Sequence, residues 1–268
     1  MLNFICLGSG SSGNSYFLFT ENFGILIDAG IGIRTLKKHF RNYNLPLNRI
    51  NAIFITHDHA DHIKAVGNLA HDCHIPVYAT RTVHEGINRN YCVTCKLQKE
   101  DARYIEKKKE LTVGDFSVTP FEVPHDSSDN VGYSIQYKDV RFCLITDAGH
   151  ITDDMREHIH AANYLVLEAN HDEDMLMMGP YPAHLKQRIL SEKGHLCNKE
   201  AAQALAENMG EQMKQVWLCH LSEENNHPEL VRKTFDSVLR SYGIIVSKDI
   251  KLDVLKRRIP SGIYTLEE

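Results

Sequence analysis

The stretch Thr56-His57-Asp58-His59-Ala60-Asp61-His62 decides the fold, because it places three histidines and two carboxylates between an apolar run and a predicted helix. His57 and His59 are two residues apart in a segment predicted to be extended. Alternate side chains of an extended segment share a side, so both imidazoles can reach one metal ion. Asp61 and His62 begin the predicted helix and are expected to face a second ion. Imidazole nitrogen and carboxylate oxygen are ligands of Zn²⁺, and the stretch therefore predicts a metal site at a strand end.

Composition places the chain among ordinary globular proteins. It has 268 residues, 43% of them hydrophobic, with a net charge of −5 and a pI near 6.3. There is no global basic field, so nucleic acid must be held by a local patch and by the metals. The N-terminus has no basic leader, and no apolar run approaches the length of a membrane span. We therefore expect a cytoplasmic protein with no membrane partner.

The cysteines do not indicate a disulfide framework, because there are seven of them in a chain of this length. Cys92 and Cys95 have a redox-like or zinc-like spacing without a second such pair, and we interpret them as reduced thiols with no role. They lie in segment 82–98, whose polarity pattern is mixed. This segment is a candidate lid over the site.

Apolar runs alternate with helical patterns along the chain, and no linker or change of composition interrupts them. This predicts an α/β protein in which residues 1–268 form a single domain. Helices are expected at 63–70 and at 198–208, the second with Asn198 as its N-cap. Polar residues stand at the ends of several predicted strands: Asp28, His125, Asp147, Glu168 and His220.

The first predicted strand runs into a loop rich in glycine and serine at residues 8–15. Such a loop can present backbone N–H and hydroxyl groups to an anion, and a merely flexible turn is the alternative. The candidate phosphate-binding residues are Ser9, Ser11, Ser12 and Asn14. Two basic runs, at 107–109 and 256–258, are candidate contacts to a nucleic-acid backbone, although charge runs usually mark solvated faces.

In order and context, the His-x-His-x-Asp-His stretch and the polar strand ends resemble the five motifs of the metallo-β-lactamase superfamily. The resemblance covers almost the whole chain. It implies a four-layer αββα fold, in which two mixed β-sheets are sandwiched between helices and the site lies in a cleft at one edge. Asp28 would support the ligands from behind. The resemblance implies the following ligands: His57, His59 and His125 for one ion, Asp61, His62 and His220 for the other, and Asp147 bridging both.

Two further stretches resemble the transfer-RNA-maturing nuclease RNase Z. They are the strand end that carries Glu168 and the Gly-His-Leu loop that carries His195. The resemblance implies that the glutamate orients the histidine, which then protonates the leaving oxygen. Together with the Ser-rich loop, these stretches look closest to the bacterial YycJ (WalJ, VicX) group, which is linked to DNA exonuclease activity and DNA repair. One departure is Cys197, where that group's pattern leads us to expect serine.

The resemblance implies a dinuclear phosphodiesterase, most simply a 5′-3′ DNA exonuclease whose nucleophile is metal-bridged hydroxide. Asp61 would steer or accept the proton of that water. Two divalent ions are implied, with Zn²⁺ expected and Mn²⁺ or Fe as alternatives, and DNA is the expected partner. A thioesterase of glyoxalase II type, a small-molecule phosphodiesterase and a non-catalytic regulatory partner remain alternatives. A homodimer also stays open.

Overall fold

A computed structural model describes all 268 residues. Its fourteen strands are β1 Leu2–Gly8, β2 Ser15–Phe19, β3 Gly24–Ile27, β4 Ala52–Phe54, β5 Val77–Ala79, β6 Ala102–Tyr104, β7 Leu111–Val113, β8 Phe116–Glu122, β9 Val131–Tyr137, β10 Val140–Ile145, β11 Tyr164–Glu168, β12 Gln215–Cys219, β13 Lys251–Val254 and β14 Tyr264–Leu266. Its nine α-helices are α1 Ile33–Asn42, α2 Ala60–Ile63, α3 Val66–Cys73, α4 Arg81–Arg89, α5 Asp153–Ala161, α6 Glu173–Met178, α7 Ala183–Ile189, α8 Asn198–Asn208 and α9 Pro228–Ser241. A single 3₁₀ turn spans Leu47–Arg49.

The strands form two sheets of seven. The first has the order β14-β1-β2-β3-β4-β5-β6 and the second the order β13-β12-β11-β10-β9-β8-β7. In the first sheet β1, β2 and β3 pair antiparallel, whereas β3 to β6 pair parallel. In the second sheet β9 and β10 pair antiparallel, and β10 to β13 are parallel. Both sheets are mixed, as predicted for an α/β protein.

Contacts divide the chain into two compact units. The first comprises Met1–Pro120, Ser127–Val131 and Lys256–Glu268, and the second comprises Phe121–Asp126 and Gly132–Leu255. The expectation that residues 1–268 form a single domain stays a prediction.

The core of the first unit is built on strands that are apolar along their whole length. Every residue of β2, β3 and β4 is buried, as expected for strands covered on both faces. Helix α1 is amphipathic and buries Leu36, His39 and Phe40. The Phe17 ring lies 5.0 Å from that of Phe40 and 4.9 Å from that of Phe19. This packing holds the strand ends from which the polar residues project.

The second unit repeats this logic with β10, β11 and β12, whose residues are buried except for Arg141 in β10. Helix α8 begins with a capping box: the Cys197 thiol accepts from the Glu200 N–H, and the Glu200 carboxylate accepts from the Cys197 N–H. The thiol thus fills the capping role that serine has elsewhere. The prediction that Asn198 is the N-cap was wrong, because Cys197 has the extended backbone of a cap and Asn198 is already helical.

Part of the candidate lid at 82–98 is helix α4, whose N-cap Thr80 accepts from the Val83 N–H. A role of this segment as a lid stays a prediction. One expected helix needs correction. The single helix expected at 63–70 is instead α2 followed by α3. The break falls at Ala65, because its N–H donates to the Ala29 carbonyl at 2.8 Å rather than back along a helix. None of the helices is both long and apolar enough to cross a bilayer.

Candidate metal centre

Asp28 anchors the predicted metal stretch within the first unit. It follows β3, is fully buried, and has a left-handed backbone with φ of 59°. Its carboxylate accepts from His62 Nδ1 at 2.7 Å and from the Thr56 N–H at 2.9 Å. Burial raises the pKa of Asp28, and the contacts with His62 and Thr56 oppose that rise. The expected support for the ligands is therefore a direct contact to a histidine ring.

Thr56 connects Asp28 to His57, a role that sequence reasoning missed. The Thr56 hydroxyl lies 2.9 Å from Asp28 Oδ2 and 3.0 Å from His57 Nδ1. Because its single proton goes to the carboxylate, the hydroxyl accepts from His57 Nδ1. Nε2 of His57 is then the nitrogen suited to a metal. The only signal for this role in the sequence was the position of Thr56, directly before the first histidine.

The three histidines of the stretch lie close together. The ring centroid of His57 is 4.7 Å from that of His59 and 4.0 Å from that of His62. A donor atom of His57 lies within 4.8 Å of one of His59 and of one of His62. Asp61 Oδ2 lies 3.6 Å from His62 Nε2. The first unit thus collects three imidazoles and a carboxylate at the end of β4.

Asp58, for which the sequence offered no role, braces this turn. Its carboxylate accepts from the Ser128 N–H at 3.2 Å, and its carbonyl accepts from the Asn90 side chain at 3.0 Å. A Cβ atom at Gly86 would come within 1.9 Å of Asp58 Oδ2. Helix α4 can therefore approach the turn only because residue 86 is glycine.

The Ser-rich loop divides into buried and exposed residues. Asn14 is buried, and its Nδ2 lies 2.9 Å from His62 Nε2 and 3.3 Å from Asp61 Oδ2. Ser9 is also buried and contacts the Tyr16 hydroxyl at 3.0 Å. Ser11 and Ser12 are exposed. Phosphate binding by all four stays a prediction, and Asn14 additionally contacts two predicted ligands.

The second unit brings four of the predicted site residues together. Asp147, Glu168 and His220 follow or end the neighbouring strands β10, β11 and β12, and His195 lies in the loop before α8. Donor atoms of all four lie within 4.8 Å of one another. The predicted strand-end residues of this unit therefore do meet at one edge of the sheet, since parallel strands end on the same side.

Glu168 is the centre of this cluster. Its Oε1 accepts from His195 Nδ1 at 2.8 Å and from His220 Nδ1 at 3.0 Å. Its Oε2 accepts from the Ala148 N–H at 2.7 Å. Burial raises the pKa of Glu168, but the charge of His195 and the two imidazole hydrogen bonds outweigh burial and lower the pKa to about 2. Glu168 is therefore an anion that orients two rings.

The pKa of His195 shifts in the opposite direction to that of Glu168. Burial lowers its pKa, yet the charge and hydrogen bond of Glu168 and the charge of Asp147 prevail, so the pKa is raised. With Nδ1 donating to Glu168, a protonated His195 carries its transferable proton on Nε2. This arrangement fits the proton donor that the sequence predicts.

His125 lies beside the same cluster. Its Nδ1 donates to the Gly194 carbonyl at 3.1 Å, and its Nε2 lies 3.7 Å from Asp147 Oδ1. The neighbouring Asp126 pairs with Arg188 of α7. The His125 ring is thus held by the loop that also carries His195.

Left-handed backbone marks the strand ends of the second unit as well. Asp147 and His220 both have φ of 54°, a conformation that is uncommon outside glycine and concentrates at functional sites. Asn170 supports His220 by donating to its carbonyl at 2.8 Å. Sequence reasoning did not find Asn170, although it lies two residues after Glu168.

The donor chemistry of each unit fits a divalent metal. The imidazoles of His57 and His125 each use Nδ1 within the protein, which makes Nε2 the nitrogen suited to a metal. His62 uses Nδ1 in the same way, and its Nε2 also contacts the Asn14 amide. The carboxylates of Asp61 and Asp147 are oxygen donors of the kind that such ions accept beside nitrogen. Both sets therefore suit Zn²⁺ or a similar ion.

Comparison with known proteins gives a consistent result. Residues 24–220 match the family described as beta-lactamase superfamily domain. The chain is 36% identical over 266 residues to exodeoxyribonuclease YycJ of Bacillus anthracis, covering 98% of each protein. It is 35% identical over 246 residues to exodeoxyribonuclease WalJ of Streptococcus pneumoniae serotype 2, covering 92% of this chain and 91% of that protein.

Solved structures agree in fold. The metallo-β-lactamase fold protein YhfI from Bacillus subtilis superimposes with a TM-score of 0.73 at 19% identity, covering 97% of this chain and 98% of that one. Human tRNase Z, short form, gives 0.66 at 18% identity over 98% of this chain and 100% of that one. These similarities confirm the predicted fold class. The chain therefore belongs to the β-lactamase superfamily and, within it, to the group of the exodeoxyribonucleases YycJ and WalJ.

Proposed function

We propose that this chain is a metal-dependent hydrolase of phosphodiester bonds that degrades DNA from an end, in the 5′-3′ direction, and serves DNA repair in the cytoplasm. Its relatives of nearly equal length are named exodeoxyribonucleases. The structural observation that carries the proposal is the Glu168 carboxylate, which binds both His195 and His220. It ties a proton donor to a predicted metal ligand.

The proposed ligands are those implied by the family. His57, His59 and His125 would hold one divalent ion, Asp61, His62 and His220 a second, and Asp147 both. Zn²⁺ is the proposed ion, with Mn²⁺ or Fe as alternatives. When bound, such ions lower the pKa of a water ligand and neutralise charge on a phosphoryl oxygen.

The chain's own residues supply the proton transfers. His195 donates the Nε2 proton to the leaving oxygen, and Glu168 keeps the ring oriented and raises its pKa. Asp61, which contacts His62 and the Asn14 amide, accepts the proton of the attacking water. Asn14 and Thr56 hold the ligands in place.

The thioesterase alternative has no such support. The relatives of nearly equal length reported above are named exodeoxyribonucleases. The pair of Glu168 and His195 also suits phosphodiester hydrolysis better than thioester hydrolysis. The alkoxide that leaves a phosphodiester needs a proton, whereas the thiolate that leaves a thioester does not.

The proposal is tested with a panel of labelled DNA and RNA strands, single and double, whose 5′ or 3′ ends are blocked. Zn²⁺- or Mn²⁺-loaded protein should release mononucleotides from DNA, and a blocked 5′ end should stop the release. S-D-lactoylglutathione serves as the thioester control. Thioester hydrolysis without DNA degradation would contradict the proposal.

A further inference from the structure

An exposed tyrosine beneath a guanidinium group lies on the surface of the first unit. Tyr104 is 57% exposed and ends β6, which is the outermost strand of its sheet. The Arg81 guanidinium carbon lies 4.7 Å from the centroid of the Tyr104 ring. Arg81 is the first residue of α4 and is itself exposed. A large aromatic ring and a cation are thus presented together to solvent.

The Tyr104 ring packs against a buried side chain that is itself held by a hydrogen bond. His84 of α4 is 4% exposed, and its ring meets that of Tyr104 edge to face, with centroids 5.3 Å apart. His84 Nε2 donates to the Arg103 carbonyl at 3.1 Å. Helix α4 and strand β6 are therefore linked directly beneath the exposed ring. A ring held in this way loses little conformational entropy when a ligand stacks on it.

The two arginines of this surface form no ion pairs with carboxylates. Neither Arg81 nor Arg103 forms a salt bridge, and the Arg103 guanidinium donates only to the carbonyls of Glu100 and Ala102. The nearby basic run differs from them. Lys107 pairs with Asp129 at 2.6 Å and Lys109 with Glu106 at 2.7 Å. Two arginines, rather than the lysines singled out in the sequence, are the available cations.

Hydrogen bonds connect this surface to the predicted metal stretch within the same unit. Thr80, which precedes Arg81, donates to Asp129 at 2.8 Å. The adjacent Ser128 N–H donates to Asp58, which lies between His57 and His59 in the chain. Two hydrogen bonds through residues 128 and 129 therefore link the start of α4, which carries Arg81, to the turn that carries His57 and His59.

We propose that the surface formed by Tyr104, Arg81 and Arg103 binds a single-stranded segment of the nucleic-acid substrate. A base stacks on the Tyr104 ring in place of the Arg81 guanidinium that lies over it. The guanidinium groups of Arg81 and Arg103 then bind the flanking phosphates. Aromatic rings with neighbouring cations bind single strands regardless of sequence, because every base has a π-face. The inference deepens the proposed function and rests on it, since it names the form of DNA that leads to the metal ions.

The test compares KM for single-stranded DNA with KM for bis(4-nitrophenyl) phosphate, a phosphodiester without a base, on metal-loaded protein. Tyr104→Ala should raise KM for DNA by about tenfold and leave kcat unchanged. Arg81→Ala should raise it by about threefold or more, and Tyr104→Phe should match the wild type. KM for the small phosphodiester should not change in any variant.

Two controls sharpen the result. Tyr91→Ala removes a tyrosine that is 89% exposed and has no cation over its ring, and it should leave KM unchanged. On a strand with abasic sites, the wild type and Tyr104→Ala should have equal KM values, because no base can stack. Equal melting temperatures would show that the variants remain folded.

Failure of the surface inference and failure of the proposed function would give different results. Suppose the wild type degrades DNA while Tyr104→Ala and Arg81→Ala both keep its KM within about twofold. The surface inference is then wrong, and the exonuclease proposal stands. Suppose instead that the wild type hydrolyses only the small phosphodiester and binds no oligonucleotide. The proposed function and the inference then both fail.

Discussion

The Nδ1 atom of His195 lies 2.8 Å from the Oε1 atom of Glu168. That carboxylate is buried, and backbone N–H groups of Ala148 and Leu196 hold its other oxygen. The pair is therefore fixed from the carboxylate side, and the exposed edge of the imidazole is the part left to meet substrate. This geometry makes separate predictions for proton transfer and for metal binding.

Removing the imidazole should impair turnover without releasing metal. We expect His195→Ala to lower kcat for DNA by about 10²–10⁴-fold, because a general acid is lost. Metal content, measured by mass spectrometry of the purified protein, should stay that of the wild type. His184→Ala, at an exposed histidine of α7, is the matched control. Unchanged turnover in His195→Ala would remove His195 from the chemistry.

The pH profile should reveal the influence of Glu168 on His195. The pKa of His195 is raised, chiefly by Glu168 acting against burial. The acid form is therefore present below that pKa, and kcat should fall as pH rises through it. In Glu168→Gln the negative charge is gone, so this alkaline decline should move to lower pH. An identical alkaline limb in both proteins would contradict the assignment.

Thr56 offers a test of how the first unit prepares its histidines. Thr56→Val keeps the volume but removes the hydroxyl that contacts Asp28 and His57. We expect metal affinity to fall by about 10–100-fold, the usual effect of losing a partner of a ligand. Thr56→Ser should restore most of it. Competition with a chromophoric chelator measures both variants, and an unchanged affinity for Thr56→Val would count against this role.

The thiols should differ in reactivity. Burial raises the pKa of Cys6 to about 12, and it also raises that of Cys143. Iodoacetamide at pH 8 should therefore modify the half-buried thiols Cys73, Cys92 and Cys95 first, and Cys6 and Cys143 more than about tenfold more slowly. Peptide mass spectrometry follows the time course, and urea should abolish the difference. Early modification of Cys6 in the native protein would show that β1 is less well packed.

Local spacing predicted that His57, His59 and His62 cluster, and the structure brings their rings together. That part of the site could be predicted because strand periodicity is a local rule with few alternatives. The association of Asp147 with His220 was implied by the family resemblance, and the two residues do approach each other beyond the ends of β10 and β12.

What the sequence missed depends on tertiary contacts. The links of Thr56 to Asp28 and of Asn170 to His220 join residues 28 and 50 positions apart, and no local pattern indicates them. The left-handed backbone at Asp28, Asp147 and His220 is likewise set by the surrounding fold. The position of the α8 cap differs from the prediction by one residue, because the extended backbone of a cap occurs at Cys197 and not at Asn198.

DNA hydrolysis by this chain should depend on metal held by these residues. The most direct measurement follows metal content and nucleotide release from end-labelled single-stranded DNA on one preparation, before chelation, after chelation, and after Zn²⁺ or Mn²⁺ is restored. Nucleotide release should stop with the loss of metal and return with it, and Asp147→Asn should show neither metal nor release. DNA degradation that persists in metal-free protein, or metal-loaded protein that leaves DNA intact, would contradict it.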